Sequence, residues 1–508
     1  MVVGYGGNNG CSTWKKIISD CRTSASNYNL IYKMSLNKNH SKWLVLLVIL
    51  TAPLLYVIDI FIINMAIPTI KSYLNATQGE VQLIIAGYLL GSACFLITGG
   101  RAGDYLGRKK VFYWGMFFFT LTSCICGLAQ SALQLNIARF FQGISSAFMV
   151  TQSIALIQVL FPGHQERAKA IGWYGITLSI AAIIGQIIGG YLAETQFVIE
   201  GWRLIFFINV PVGILAMWAI KVYLPETKRE TGVKFDYSGA IYLMIGLGCL
   251  IYAITEGREG GWPLWSKVLL IIGGIILVLF FQDQKKKLLR NRNPLVDVNL
   301  FNHREFNIGL LAVLFHFMLH TAYLLMIAVY LQNGLGISAL ACGMYFVPHA
   351  ILFMLSAVIA SKLMVIYGKY VLLIGLLIIF ASFLLQILFF STSSDPFVNI
   401  SLIGMYGLGN GLVLPFLLNI ALDNVPTKFA GTSSGIFSTF QQVASALGIS
   451  IIGGIFYNSI LFDSPRYYKT ALDNGLISGI ICLLVVAFML VLLPKTKGAE
   501  VLNDYEQL

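Results

Sequence analysis

Two ionisable side chains stand where such groups are costly. Asp59 lies inside the apolar run Ile58-Asp59-Ile60-Phe61-Ile62-Ile63-Asn64-Met65-Ala66-Ile67-Pro68, and Arg139 lies inside the run that continues through Phe140-Phe141-Gln142-Gly143 to Ala147. A charge in the middle of a hydrocarbon layer costs at least about 2.5–3.5 kcal/mol, so each must face a cavity or a partner. Hydrocarbon penalises the charged form of a carboxylate, so Asp59 could bind a proton and release it as access changes sides. It could also be a structural carboxylate held by a neighbouring helix. Arginine cannot shed its charge and needs an acceptor, for which Asp59 is the chemical match; snorkelling or bonding to carbonyls is the alternative. Proton coupling is the role expected of Asp59.

Further polar groups lie in apolar runs. His316 and His320, spaced i and i+4, share a helix face, but no nearby carboxylate or cysteine completes a metal site. With Asn64 and Gln152 they are expected to border a substrate cavity, and neither a metal nor a cofactor is expected. Six of the eight cysteines also fall in apolar runs, as small filler. The chain has no Ser-His-Asp arrangement and no phosphate-binding Gly-x-x-x-x-Gly-Lys loop, which argues against an enzyme or an ATP-driven pump.

The elements that must position these groups are membrane helices. With 57% hydrophobic and 11% charged residues over 508 positions, the chain reads as an all-α polytopic membrane protein whose first partner is the lipid bilayer. Its formal net charge of +12 comes from basic residues in short loops and forms no continuous stripe for nucleic acid. Fourteen spans are predicted, near 43–68, 81–100, 111–129, 133–160, 168–193, 203–224, 237–254, 266–281, 306–331, 341–366, 371–390, 399–422, 433–456 and 475–493. The expected organisation is a polar N-terminal extension over 1–41 and a six-helix half over 42–224. A linker with two extra spans and a basic segment follows over 225–305, then a second six-helix half over 306–494 and a tail over 495–508. Assigned alternately to the two sides, 27 of the 34 Lys and Arg fall on the side of the N-terminus. That asymmetry places both termini in the cytoplasm.

A polar interruption joins the second and third runs: Gly99-Gly100-Arg101-Ala102-Gly103-Asp104-Tyr105-Leu106-Gly107-Arg108-Lys109-Lys110. It reads as a basic cytoplasmic turn that forces an antiparallel hairpin. Gly100-x-x-x-Asp104-x-x-Gly107-Arg108-Lys109 resembles the cytoplasmic loop signature of the major facilitator superfamily, with Ala102 and Tyr105 departing from the usual Leu and Arg. A weaker copy, Ile366-Tyr367-Gly368-Lys369, stands at the matching place in the second half. The stretch around Asp59 resembles the first-helix signature of the 14-helix drug:proton antiporters, and the stretch around Arg139 resembles the superfamily's fourth-helix motif, which implies that Arg139 assists Asp59 in proton coupling. Gly185, Gln186, Gly189 and Gly190 resemble a fifth-helix antiport motif, with Gln186 in place of its proline and Ala181 in place of an inner glycine. Trp202-Arg203-Leu204-Ile205-Phe206-Phe207-Ile208-Asn209-Val210-Pro211 resembles a further stretch of the same branch, and Trp202 and Arg203 suit the outer interface.

The resemblance implies two pseudo-symmetric six-helix bundles with a substrate site between them, plus two inserted helices. It also implies a conformational latch at Gly100, Asp104, Gly107 and Arg108. The function it implies is a monomeric exporter of drug-like amphipathic small molecules, exchanging them for protons by alternating access in the bacterial inner membrane. A specific exporter of a siderophore or metabolite, or a sensor with a transporter fold, are the other readings.

Overall fold

The computed structural model describes residues 42–161, 164–195, 199–226, 236–290, 292, 294–390, 395–417 and 430–493. The polar extension, the tail and most of the link before residue 236 lie outside them. Among the described residues, fourteen helices are long and apolar enough to cross a membrane. They are α1 (Lys42–Leu74), α2 (Gln78–Leu106), α3 (Arg108–Leu128), α4 (Ala132–Leu160), α5 (His164–Glu194), and α6, built of Gly201–Phe207 and Asn209–Tyr223. Next come α7 (Tyr237–Glu259), α8 (Leu264–Leu289), α9 (Arg304–Val329), and α10, built of Ala339–Tyr345 and Val347–Tyr367. The last four are α11 (Lys369–Phe389), α12 (Pro396–Val413), α13 (Ala430–Asn458) and α14 (Pro465–Leu492).

Helix starts on one face of the bundle carry side-chain caps for backbone N–H groups that would otherwise lack partners. Thr77 and Glu80 form a reciprocal capping box on α2, Ser131 caps α4, Ser338 caps α10 and Asp395 caps α12.

Basic side chains close helix ends twice over, once in each half. Arg203, opening α6, donates from Nη1 to the carbonyls of Gly127 (2.9 Å) and Ala129 (2.5 Å) at the end of α3. Lys469, opening α14, donates to the Ile387 carbonyl at the end of α11 (2.8 Å). On the opposite face Lys109, opening α3, reaches the Lys221 carbonyl of α6 (3.1 Å), and Lys369, opening α11, reaches the Leu490 and Val491 carbonyls of α14 (3.2 and 3.1 Å). The same interactions between equivalent helices reveal two copies of one six-helix plan, α1–α6 and α9–α14. Trp202 is fully buried, so its ring packs inside the protein and not against lipid. Its neighbour Arg203 spends its charge on the carbonyl-rich end of α3.

The halves meet where α2 packs on α13 and α5 packs on α10, with a smaller contact of α1 on α9. The inserted α7 lies along the first seam, touching both α2 and α13, and its Thr255 hydroxyl bonds that of Ser450 on α13 (2.6 Å). Helix α8 rests on α7 and leaves Ile271, Ile275 and Val278 exposed. The ends of this pair are clamped at Asp236, which accepts from Lys287 Nζ (2.5 Å), Gln284 Nε2 (2.8 Å) and the Leu295 and Gly239 N–H groups (3.0 and 2.9 Å). Burial works against its charge, yet these donors hold the Asp236 carboxyl below its ordinary range. Ile275→Asp should therefore cost about 3 kcal/mol of membrane insertion. The expected result is a lower membrane yield with an unchanged spectrum of exported dyes; a shifted spectrum at wild-type yield would place α8 in the transport path.

The polar interruption is not a loop. Helix α2 continues through Gly100 and Asp104 to Leu106, and the reversal into α3 is made by Gly107 alone, at φ 95°. Charged side chains do not end a helix that has reached water; a left-handed backbone does. Gly368, at φ 51°, makes the equivalent reversal between α10 and α11.

Candidate functional site

Asp59 and Arg139 are brought together. Both are fully buried, and the Arg139 Nη1 to Asp59 Oδ2 distance is 2.5 Å. The other carboxylate oxygen accepts from Gln142 Nε2 (3.0 Å) and Asn209 Nδ2 (3.2 Å). Asn209 also donates to Ser123 Oγ (3.0 Å), whose hydroxyl donates to the Phe206 carbonyl (2.9 Å). Arg139 donates in addition to Gln142 Oε1 (2.9 Å) and, through Nε, to the Ile84 carbonyl (3.1 Å), and its guanidinium lies 4.2 Å from the centroid of the Tyr88 ring. Five helices, α1 to α4 and both segments of α6, thus converge on one ion pair through side-chain or carbonyl contacts.

The helix faces explain why these residues meet. Arg139 and Gln142, three apart on α4, share a face and both turn to α1. Asn209 opens the second segment of α6, just beyond the break at Ile208. Sequence reasoning identified the two charges and missed Gln142, Asn209, Ser123 and Tyr88 as their partners. The available signal was two primary amides, Gln142 and Asn209, inside apolar runs, since buried amides demand hydrogen bonds.

The fifth-helix glycines determine where Asp59 sits. A Cβ on Gly185 would lie 3.0 Å from the Ile58 carbonyl, and one on Gly189 would lie 2.7 Å from the Ile62 carbonyl. Helix α5 therefore packs directly on the α1 backbone on both sides of Asp59. Its other face packs on the second half: a Cβ on Gly343 of α10 would lie 2.6 Å from the Gln186 carbonyl, and a Cβ on Gly190 would strike the Ala339 carbonyl. Glu194 Oε1 accepts the Leu340 N–H at the start of α10 (2.9 Å).

The remaining predicted site residues lie apart from the ion pair. Asn64 is buried on α1. Gln152 is packed between helices and not in a central cavity: Nε2 donates to the Gly99 carbonyl (2.6 Å), and a Cβ on Gly103 would strike its amide. It belongs with the turn region of α2, where Arg108 Nη1 donates to the Ala155 carbonyl of α4 (2.6 Å). Gly100 lies in α2 against Thr151, and the Asp104 side chain is outside the described residues. Gly107→Val would put a β-branched residue at a positive φ, a strain of about 1–3 kcal/mol. We expect slower turnover with dye affinity retained, measured as efflux rate against equilibrium dye binding; unchanged turnover with weakened binding would make this turn a substrate contact. His316 and His320 occur in the second half, within a separate polar cluster of α9, α10, α11 and α12.

Comparison with known proteins agrees with this architecture. The family model described as Major Facilitator Superfamily matches residues 49–449. The chain is 32% identical over 420 residues to the probable actinorhodin transporter of Streptomyces coelicolor, covering 82% of this chain and 72% of that protein. It is 30% identical over 399 residues to the multidrug resistance protein Stp of Mycobacterium tuberculosis, covering 78% of this chain and 73% of that one. Among solved structures, a D-xylose-proton symporter superposes with a TM-score of 0.63 at 15% identity, covering 90% of this chain and 99% of that chain, which bears on the fold alone.

Proposed function

This chain belongs to the major facilitator superfamily, and from that membership and the buried site we propose that it exports drug-like amphipathic small molecules in exchange for protons. Its relatives include a probable actinorhodin transporter, a tetracenomycin C resistance and export protein, and multidrug and puromycin resistance proteins, which supports the export of such molecules. The observation that carries the proton half of the reading is the fully buried Asp59–Arg139 pair. In our reading Asp59 is the proton carrier. Protonation neutralises the carboxylate and removes half of the ion pair. Arg139 then keeps the Gln142 and Ile84 oxygens and the Tyr88 face, so its charge is not stranded. The loss of one attraction loosens α1 from α4, and α5, whose backbone lies against α1 on one side and α10 on the other, carries that change to the seam between the halves. Alternating access then needs only that protonated and deprotonated states favour different packings of the seam. The reading places the protein as a monomer in the bacterial cytoplasmic membrane with both termini inside, in line with its basic loops.

The test is transport by the purified protein in lipid vesicles under an imposed pH gradient, using ethidium, other cationic dyes, antibiotics and siderophores as probes. Gradient-dependent movement of several unrelated amphipathic compounds supports the proposal. Movement of a single metabolite only would favour the specific exporter, which the actinorhodin relative makes the second reading. Transport that ignores the pH gradient would remove proton coupling.

A further inference from the structure

The second half carries a polar cluster that the Asp59 mechanism does not use. His316 and His320 of α9 and His349 of α10 gather around Tyr406 and Asn410 of α12. His316 Nε2 pairs with Asn410 Oδ1 (2.8 Å), and His320 Nδ1 pairs with Tyr406 Oη (2.8 Å) and Asn410 Nδ2 (3.1 Å). The amide orders the tautomers. Its oxygen takes the N–H of His316, and its NH₂ group and the Tyr406 hydroxyl both donate to His320 Nδ1, which puts the His320 proton on Nε2. His320 is the half-buried member of the trio; His316 and His349 are buried.

His349 is the unsatisfied member. It is 4% exposed, and neither Nδ1 nor Nε2 has a hydrogen-bond partner, while His316 lacks one at Nδ1. Its ring lies parallel to Tyr406, 12° between planes and 5.6 Å between centroids. A buried N–H and a buried lone pair left unpaired are costly, so this packing does not complete the group's chemistry. His349 also occupies the same place in α10, counted from the helix start, that Tyr88 occupies in α2, and Tyr88 is the ring beneath Arg139. The cluster therefore stands in the second half where the ion-pair site stands in the first.

We propose that this cluster is a second proton-binding site, in which His349 takes a proton from water to become an imidazolium over the Tyr406 ring, with His320 as its aqueous edge. The face of a tyrosine accommodates such a cation, and histidine is the side chain that changes charge near neutral pH. A metal is a poor occupant: His320 Nδ1 and His316 Nε2 are already engaged, and no group of metal-ligating side chains forms among the described residues. The ionisable groups facing the site are its own, namely His316, His320 and Tyr323 on α9, His349 on α10 and Tyr406 on α12, while α11 brings Ser382 and Gln386. Among the described residues no carboxylate or cation of α1, α5, α13 or α14 acts on the three imidazoles.

The test is nuclear magnetic resonance of the full chain in lipid nanodiscs, with its six histidines isotopically labelled and titrated from about pH 8 to 5, with and without ethidium. We expect one imidazole to become an imidazolium in that range under at least one of the two conditions, and its signal to be missing in His349→Gln. In vesicles, His349→Gln should move fewer protons per ethidium than the wild type. If His349→Gln fails to fold, the assignment is made by elimination, because the titrating signal should persist in His316→Gln and in His320→Gln. Signals of His316, His320 and His349 that stay neutral to about pH 5 in both conditions would overturn the proposal. So would an unchanged proton count in the variant. The titration does not depend on transport, so a neutral cluster beside intact Asp59-dependent export would refute this site alone.

Discussion

Asp59→Asn is expected to abolish ethidium export driven by an imposed pH gradient, while exchange of dye down its own gradient continues. Asparagine has the size of the carboxyl group and reproduces its protonated, neutral state permanently. An amide oxygen in its place can still accept from Arg139, while its NH₂ group replaces the oxygen that took the Gln142 and Asn209 donors, so those two amides must turn an oxygen toward it for the helices to keep their meeting point. What is lost is the ability to alternate between two charges. The folding cost should stay below the 3–5 kcal/mol or so of a fully stranded buried charge, because an acceptor remains. Parallel assays in vesicles, one with a pH gradient and one with a dye gradient, separate the two activities. Gradient-driven export at the wild-type rate would remove Asp59 from proton coupling.

Arg139→Gln should have the largest effect on folding. It leaves the Asp59 carboxylate in a fully buried position without its counter-charge and breaks the bonds to Gln142 and the Ile84 carbonyl. Removing one member of a buried pair costs about 3–5 kcal/mol. The double variant Asp59→Asn with Arg139→Gln should be more stable than Arg139→Gln alone, because no uncompensated charge remains. Thermal unfolding of the four proteins in detergent gives the interaction energy, expected at about 1–3 kcal/mol. A double variant as unstable as the two single losses combined would mean that the residues act independently.

These two charges were legible in the sequence because hydrocarbon makes a charge conspicuous at any position. Their amide partners were not. Gln142 and Asn209 change the hydropathy of a span too little to stand out, and their meeting depends on how α4 and α6 pack, which no local pattern records. The span count was likewise legible from apolar run length, whereas the extent of α2 was misread. Gly99 to Lys110 has the composition of a loop, but helical backbone is free to extend into water until a residue such as Gly107 reverses it. Gln152 was placed at a cavity on polarity alone; its neighbour across the helix contact, Gly103, is what makes room for it. His316 and His320 were recognised as sharing a face, but His349 lies in another helix, and only the fold brings it to them.

The position of α7 has one more consequence. A protein of two matched halves in a bilayer would offer lipid two equivalent flanks, one along each seam. Here the α2–α13 flank is shuttered by α7, with α8 behind it, whereas among the described residues the inserted helices make no comparable packing on the α5–α10 flank. The molecule consequently has a front and a back, and a greasy molecule dissolved in the membrane meets the bare joint of the two halves on one side and a wall of inserted helices on the other.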